Sequence, residues 1–252
     1  MIYALTPVKA AQAVLSRMAA IEINAILQTG IEVLDKEAQG RFLIRMGQHT
    51  FTTKSETPLL PGRAYWVDMA QTKEGIIQLH HPHPKPLLLQ KSFQNLFDEG
   101  LLKTFAKKEH PSASLKEHLL HALSAATSKE QFQNLTQLLL SLHHGVVTIP
   151  VEKEGRRALL QMRRRKREGD LNQKSVEFYA AMNNIGPVEG RISQGGGKRH
   201  LTLSLFYPKS VALLERHAKE LEGFDRVEIG LNKSDIAPFW DASSTTLLDI
   251  KG

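Results

Sequence analysis

The sequence predicts an α+β fold: a small five-stranded barrel of the OB or SH3-like kind, a helical spacer, and a C-terminal hairpin and meander with one packed helix. Period-2 alternation before residue 80 and again after Gly145, with helically spaced leucines between them, carries that prediction.

An N-terminal helix is expected over residues 1–30. Thr6-Pro7 supplies a cap and a first-turn proline, Val14, Met18, Ile21 and Ala25 share a face, and Gly30 ends it. The barrel is expected over 31–80. Its strands are Ile31 to Leu34, Arg41 to Met46, His49 to Thr53, Ala64 to Met69 and Gly75 to Leu79, punctuated by Gly40, Gly47-Gln48, Pro61-Gly62 and Lys73-Glu74-Gly75. His80-His81-Pro82-His83-Pro84-Lys85-Pro86 then reads as an interdomain linker, because its prolines continue neither a helix nor a central strand. Linker and helices fill 81–144. Leu89, Phe93, Leu96, Phe97 and Leu101 form the stripe of one helix, and Ser114-Leu115-Lys116-Glu117 and Ser128-Lys129-Glu130-Gln131 read as the capping boxes of two more.

A C-terminal α+β domain with a tail is expected over 145–252. Val147 to Val151 and Arg156 to Met162 flank Glu152-Lys153-Glu154-Gly155 as a hairpin. Val176-Glu177-Phe178, Val188 to Ile192 and Leu201 to Leu205 alternate strictly and form a meander, with Gly195-Gly196-Gly197 turning the second strand into the third. Pro208 opens a helix carrying Val211, Leu214, Ala218 and Leu221, Gly223 caps it, and Val227 to Leu231 is the last strand. After Asp235 the periodicity is lost, and the tail is expected to be partly disordered.

This order of elements, centred on Asn184-Ile185-Gly186-Pro187-Val188, resembles the C-terminal domain of flagellar hook-length control proteins of the FliK type. In that family a strand leads into a leucine-glycine-x-valine turn, then a hairpin, a helix and a final strand. Here the strand is Val176 to Met182, the turn is Ile185-Gly186-Pro187-Val188 with isoleucine where leucine is usual, and the helix is Lys209 to Leu221. Members usually carry a long, polar, proline- and serine-rich amino-terminal half, whereas residues 1–145 here read as folded. The resemblance implies a non-enzymatic regulator of hook length and export-substrate switching. It would act by docking to the cytoplasmic domain of an export-gate component of the FlhB type, within the flagellar type III export apparatus.

Composition bounds the alternatives. With 252 residues, 41% hydrophobic and 23% charged, the chain is long enough for two cores and reads as globular. It holds no cysteine, which excludes disulfides and thiolate zinc sites. Lys9, Arg17 and Glu22 interrupt the first thirty residues, so no signal peptide is read there, and no run approaches the ~18 apolar residues of a membrane span. A cytoplasmic protein is expected, with export through the flagellar apparatus following only from the resemblance. The formal charge of +7 favours an acidic partner.

The chemistry-bearing residues point the same way. The basic run Arg163-Arg164-Arg165-Lys166-Arg167 supplies a rim, and Ile185, Gly186, Pro187 and Val188 an apolar centre, for a partner-binding surface. The alternative is oligonucleotide binding, with the arginine run on phosphates and Phe42, Phe51, Tyr65 and Trp66 as stacking platforms of the barrel. His80, His81 and His83 lack a spaced carboxylate or cysteine to complete a metal site, and His143-His144 suit the negative end of a helix dipole. Gly195-Gly196-Gly197-Lys198 joins two strands and lacks the hydroxyl residue of a phosphate loop. Asp68, Glu74, Glu177, Glu189 and Glu228 fall on the polar phase of strands. No nucleophile elbow, zincin motif or fixed carboxylate pair occurs, so neither a catalytic residue nor a cofactor is assigned; an enzyme would have to assemble its site from residues distant in sequence.

Overall fold

The computed structural model describes residues 6–7, 29–55, 57–71, 77–93, 96–153, 156–164, 174–221, 223–232 and 234–242. The helix expected over 1–30 lies outside them apart from Thr6 and Pro7, and Gly30 already belongs to a strand.

Five strands close the barrel: β1 (Thr29–Lys36), β2 (Arg41–Met46), β3 (His49–Ser55), β4 (Ala64–Gln71) and β5 (Ile77–Pro84), in the order β1-β2-β3-β5-β4. Every pairing is antiparallel except the short β3–β5 contact, Lys54↔Gln78 and Ser55↔Leu79. That closed order is OB-like. Alternation drives Ile31, Val33, Phe42, Ile44, Tyr65, Val67 and Leu79 inward, and Leu59, from the β3–β4 connection, completes the barrel core.

The expected linker is instead the second half of β5. His83 pairs with Trp66 and Pro84 with Tyr65, after a register shift that accommodates His81 at φ 49. The prolines are tolerated because β5 pairs with β3 at Gln78 and Leu79, and among the described residues no strand pairs with that side of β5 beyond Leu79.

Four helices follow: α1 (Leu87–Gln90), α2 (Glu99–Lys107), α3 (Pro111–Ser124) and α4 (Lys129–His143). The stripe predicted as one helix is split, with Phe93, Leu96 and Phe97 lying between α1 and α2. Ser128 caps α4 as expected, accepting from the Gln131 amide at 3.1 Å. Ser114 caps nothing, because α3 begins one turn earlier at Pro111, whose fixed φ suits a first helical position.

The second sheet has six strands in the order β11-β10-β9-β8-β7-β6. β6 (Val146–Lys153) and β7 (Arg156–Arg164) form the predicted hairpin, and β8 (Lys174–Met182), β9 (Gly186–Gly195) and β10 (Lys198–Leu205) the meander. Gly196 and Gly197, at φ 57 and 78, make the two-residue turn between β9 and β10. α5 (Pro208–Arg216) carries the chain across so that β11 (Arg226–Leu231) lies parallel to β10. Leu88, Leu115, Leu119, Leu135 and Leu138 from the helices, with Phe97 from the chain between α1 and α2, share one core with Ile149, Leu160, Phe178 and Leu203 of the sheet and Leu214 of α5, so packing does not stop at Gly145.

Residues 235–242 are ordered by packing rather than by periodicity. Ile236 is 1% exposed, and the main-chain N–H and carbonyl of Trp240 both bond to the fully buried side-chain amide of Gln161. This strap also reaches the barrel, through Asp241 to Arg63 at 3.6 Å and Asp235 to His83 at 2.9 Å.

Candidate functional site

The positive φ of Gly145 (78°) ends α4 and turns the chain into β6, leaving His144 beside the strap. The His144 and Trp240 rings stack with centroids 5.0 Å apart, so His144 is held by an aromatic contact and not by the helix dipole alone. β7 then delivers Arg163 to the same place. Its guanidinium lies 4.0 Å above the Phe239 ring and 3.0 Å from the Glu177 carboxylate on β8. Arg164 follows, exposed. His144, Arg163, Arg164, Phe239 and Trp240, with Leu142, Val146, Pro7 and Ser112, line a groove of roughly 660 Å³ with an aromatic floor and a basic rim.

The strap that builds this floor is tightly held. Burial pushes the Asp241 carboxyl above its ordinary value, while the Leu87 N–H and Arg63 pull it back. Burial, with Asp241 and Asp235 nearby, pushes the Tyr179 hydroxyl well up, so that hydroxyl stays neutral beneath the strap. The Trp240 Nε1–H is buried and has no acceptor among the described residues.

The residues expected to form one surface are not brought together. Ile185, Gly186, Pro187 and Val188 are all buried, and the Ser210 hydroxyl donates to the Ile185 carbonyl at 2.7 Å. The indole N–H of Trp66 caps the carbonyls of Met182 and Asn183 beside that turn. As placed, the turn is a structural element and offers a partner no apolar surface. Arg164 pairs with Val176 at one end of β8 and Gly186 with Met182 at the other, which separates them by roughly 20 Å along the strand. Arg165 lies outside the described residues.

The aromatics proposed as stacking platforms point inward. Phe42, Tyr65 and Trp66 are 4%, 6% and 0% exposed, and Phe51 packs against the barrel core. Arg41, Arg45 and Lys54 are exposed on β2 and β3, where the exposed ring is the His49 imidazole and Phe51 is half-buried. The histidines separate at the irregularity in β5, where His81 takes φ 49 and the register with β4 shifts: His81 is exposed 3.6 Å from Asp68, and His83 is buried between Trp66 and Phe206. Among the described residues no group of three or more His, Cys, Asp or Glu is placed to hold a metal.

Sequence reasoning missed His144, Phe239 and Trp240. The adjacent aromatics in an aperiodic tail were the available signal, since two large apolar rings are seldom left in solvent. A scan against protein-family models, a search of curated proteins and a search of solved structures each return no match. No described helix is long and apolar enough to cross a membrane.

Proposed function

We propose that this is a non-enzymatic, cytoplasmic docking protein of the flagellar export apparatus, with residues 145–252 acting as a FliK-type C-terminal domain that helps regulate hook length and export-substrate switching. The observation that carries the reading is the order β8, Gly186 turn, β9, β10, α5, β11, with Gly186 at φ 87 and β11 parallel to β10. This is the order of elements that the resemblance implies. The docking surface is the groove over Phe239 and Trp240, because a desolvated aromatic centre with a cationic rim is the anatomy of a protein interface. The partner is an acidic segment of the export gate's cytoplasmic domain, which the Arg163 and Arg164 rim and the net charge of +7 attract.

Oligonucleotide binding is the second reading. The OB-like strand order and the exposed Arg41, Arg45 and Lys54 favour it, and the inward aromatics weigh against it because sequence-tolerant binding of single strands draws on exposed rings. The test is calorimetric titration of the full chain with an FlhB-type cytoplasmic domain. Trp240→Ala weakens binding at least about tenfold if the aromatic floor is an interface hot spot. Unchanged affinity in that variant removes the groove from the reading.

A further inference from the structure

We propose that Lys85 is a site of covalent acylation, its ε-amine held in a niche between the Trp66 ring and the bare Cα of Gly30 and open to a small activated acyl donor of the acyl phosphate class. The residue lies where β5 hands the chain over to α1. Its backbone is fixed from both sides: the Lys85 N–H donates to the Ala64 carbonyl at 2.8 Å, and the Lys85 carbonyl accepts from the Gln90 side-chain amide at 3.2 Å.

The placement of the amine carries the inference. Nζ lies 5.4 Å from the centre of the Trp66 ring, and a Cβ built on Gly30 would stand 2.5 Å from it. Glycine inside a strand costs stability, and on β1 it leaves the room that the amine occupies. No carboxylate lies within ion-pair distance of Nζ among the described residues. An ammonium without a counter-charge is costly to take out of water, and the Trp66 face is a weaker partner than a carboxylate, so burial holds the Lys85 pKa down at about 8. At pH 7.5 roughly a quarter of such an amine carries no proton, against about one in a thousand for an ordinary lysine. Lys85 is half-buried rather than sealed, so a small reagent reaches it.

The free amine is the nucleophile. Its lone pair attacks the acyl carbon, the C–N bond forms, the C–O bond to phosphate breaks, and the departing phosphate takes the amine's proton. The amide product is neutral. That favours acylation over the other additions open to a free lysine, since a carbamate would leave an anion, and a protonated imine a cation, without an opposite charge beside it.

The experiment treats the full chain with acetyl phosphate and follows acetylation of each lysine over time by peptide mass spectrometry. At pH 7.5 Lys85 is expected to react at least about tenfold faster than the exposed Lys54, Lys116 and Lys198, because its larger free fraction outweighs its lower basicity. That lead disappears in concentrated urea, and the Lys85 rate levels off between about pH 8 and about pH 9 as the amine becomes fully deprotonated. Gly30→Ala, which pushes the amine out of the niche, erases most of the lead and leaves the Lys54 rate unchanged. A Lys85 rate no higher than that of the exposed lysines, a lead that persists in urea, or a rate that climbs with pH without levelling overturns the proposal. So does an undiminished lead in a Gly30→Ala variant that melts cooperatively.

Discussion

The indole N–H of Trp66, on β4 of the barrel, donates to the main-chain carbonyl of Met182, at the end of β8, across 3.0 Å. Trp66 is thereby the barrel residue that belongs to the core of the helices and the larger sheet, while its neighbours Tyr65 and Val67 face the barrel interior. Adjacent strand residues point to opposite faces, so one strand serves two cores. Truncating Trp66 to alanine empties a fully buried site and strips two carbonyls of their donor. The expected loss is about 3–5 kcal/mol by urea denaturation.

The shared core sets the smallest independent unit. A fragment from residue 86 to the end keeps Leu115, Leu119, Leu135 and Leu138 over Val147, Ile149, Leu160 and Met162, and it is expected to unfold in one cooperative calorimetric transition. A fragment from residue 144 exposes that apolar face and lacks such a transition. Equal cooperativity of the two fragments would show that the helices are dispensable.

Gly190 on β9 faces Phe178 on β8, and a Cβ built there runs into the phenyl ring, which is fully buried. Gly190→Ala should cost about 1–3 kcal/mol through overpacking. Gly230, in β11, meets nothing within 4 Å of such an atom. Gly230→Ala is expected to be neutral or stabilising by about 0.4–1 kcal/mol. Thermal denaturation of the two variants side by side checks the difference.

His83 gives the fold an acid-side weakness. Burial lowers its pKa below 6.5, against the opposing pull of Asp235 and nearby main-chain groups. Its Nε2 lies 2.9 Å from Asp235 Oδ1 but off the line of a proper hydrogen bond, so the attraction does not outweigh the burial. The unfolded chain takes up this proton first. Stability from the neutral ring is therefore full above about pH 6.5 and falls as the pH drops toward the folded value. Urea midpoints should decline from about pH 7 to about pH 5, less steeply in His83→Gln and more steeply in Asp235→Asn. Identical slopes in the wild type and both variants would exclude His83 as the cause.

What was legible in the chain follows from where the information lies. Strands β2, β9 and β10 and the start of β8 show alternation between local turn signals, and Gly196-Gly197 marks its hairpin with residues that accept positive φ. The second half of β5 was hidden because Pro82 and Pro84 look like breakers, and they are harmless because, among the described residues, no strand pairs with that side of β5 beyond Leu79. Pro111 fixed the start of α3 against the stronger-looking Ser114 signal. Beyond its paired aromatics the strap carried no signal, since its order comes from Gln161, Arg163 and His144, which are distant in sequence. For the site, the basic run located one rim of the groove, but the apolar centre was assigned to a turn whose apolar character serves the core.

The docking reading is tested most directly by a salt series. Wild type and an Arg163→Ala/Arg164→Ala/Arg165→Ala variant are titrated with an FlhB-type cytoplasmic domain and, separately, with a mixed-sequence oligonucleotide. The account predicts that the wild type binds the protein partner, that the variant associates more slowly, and that its salt dependence is flatter, because rim charges steer encounter. Tight oligonucleotide binding whose salt slope falls by about one per arginine removed, with no binding of the protein partner, would contradict it.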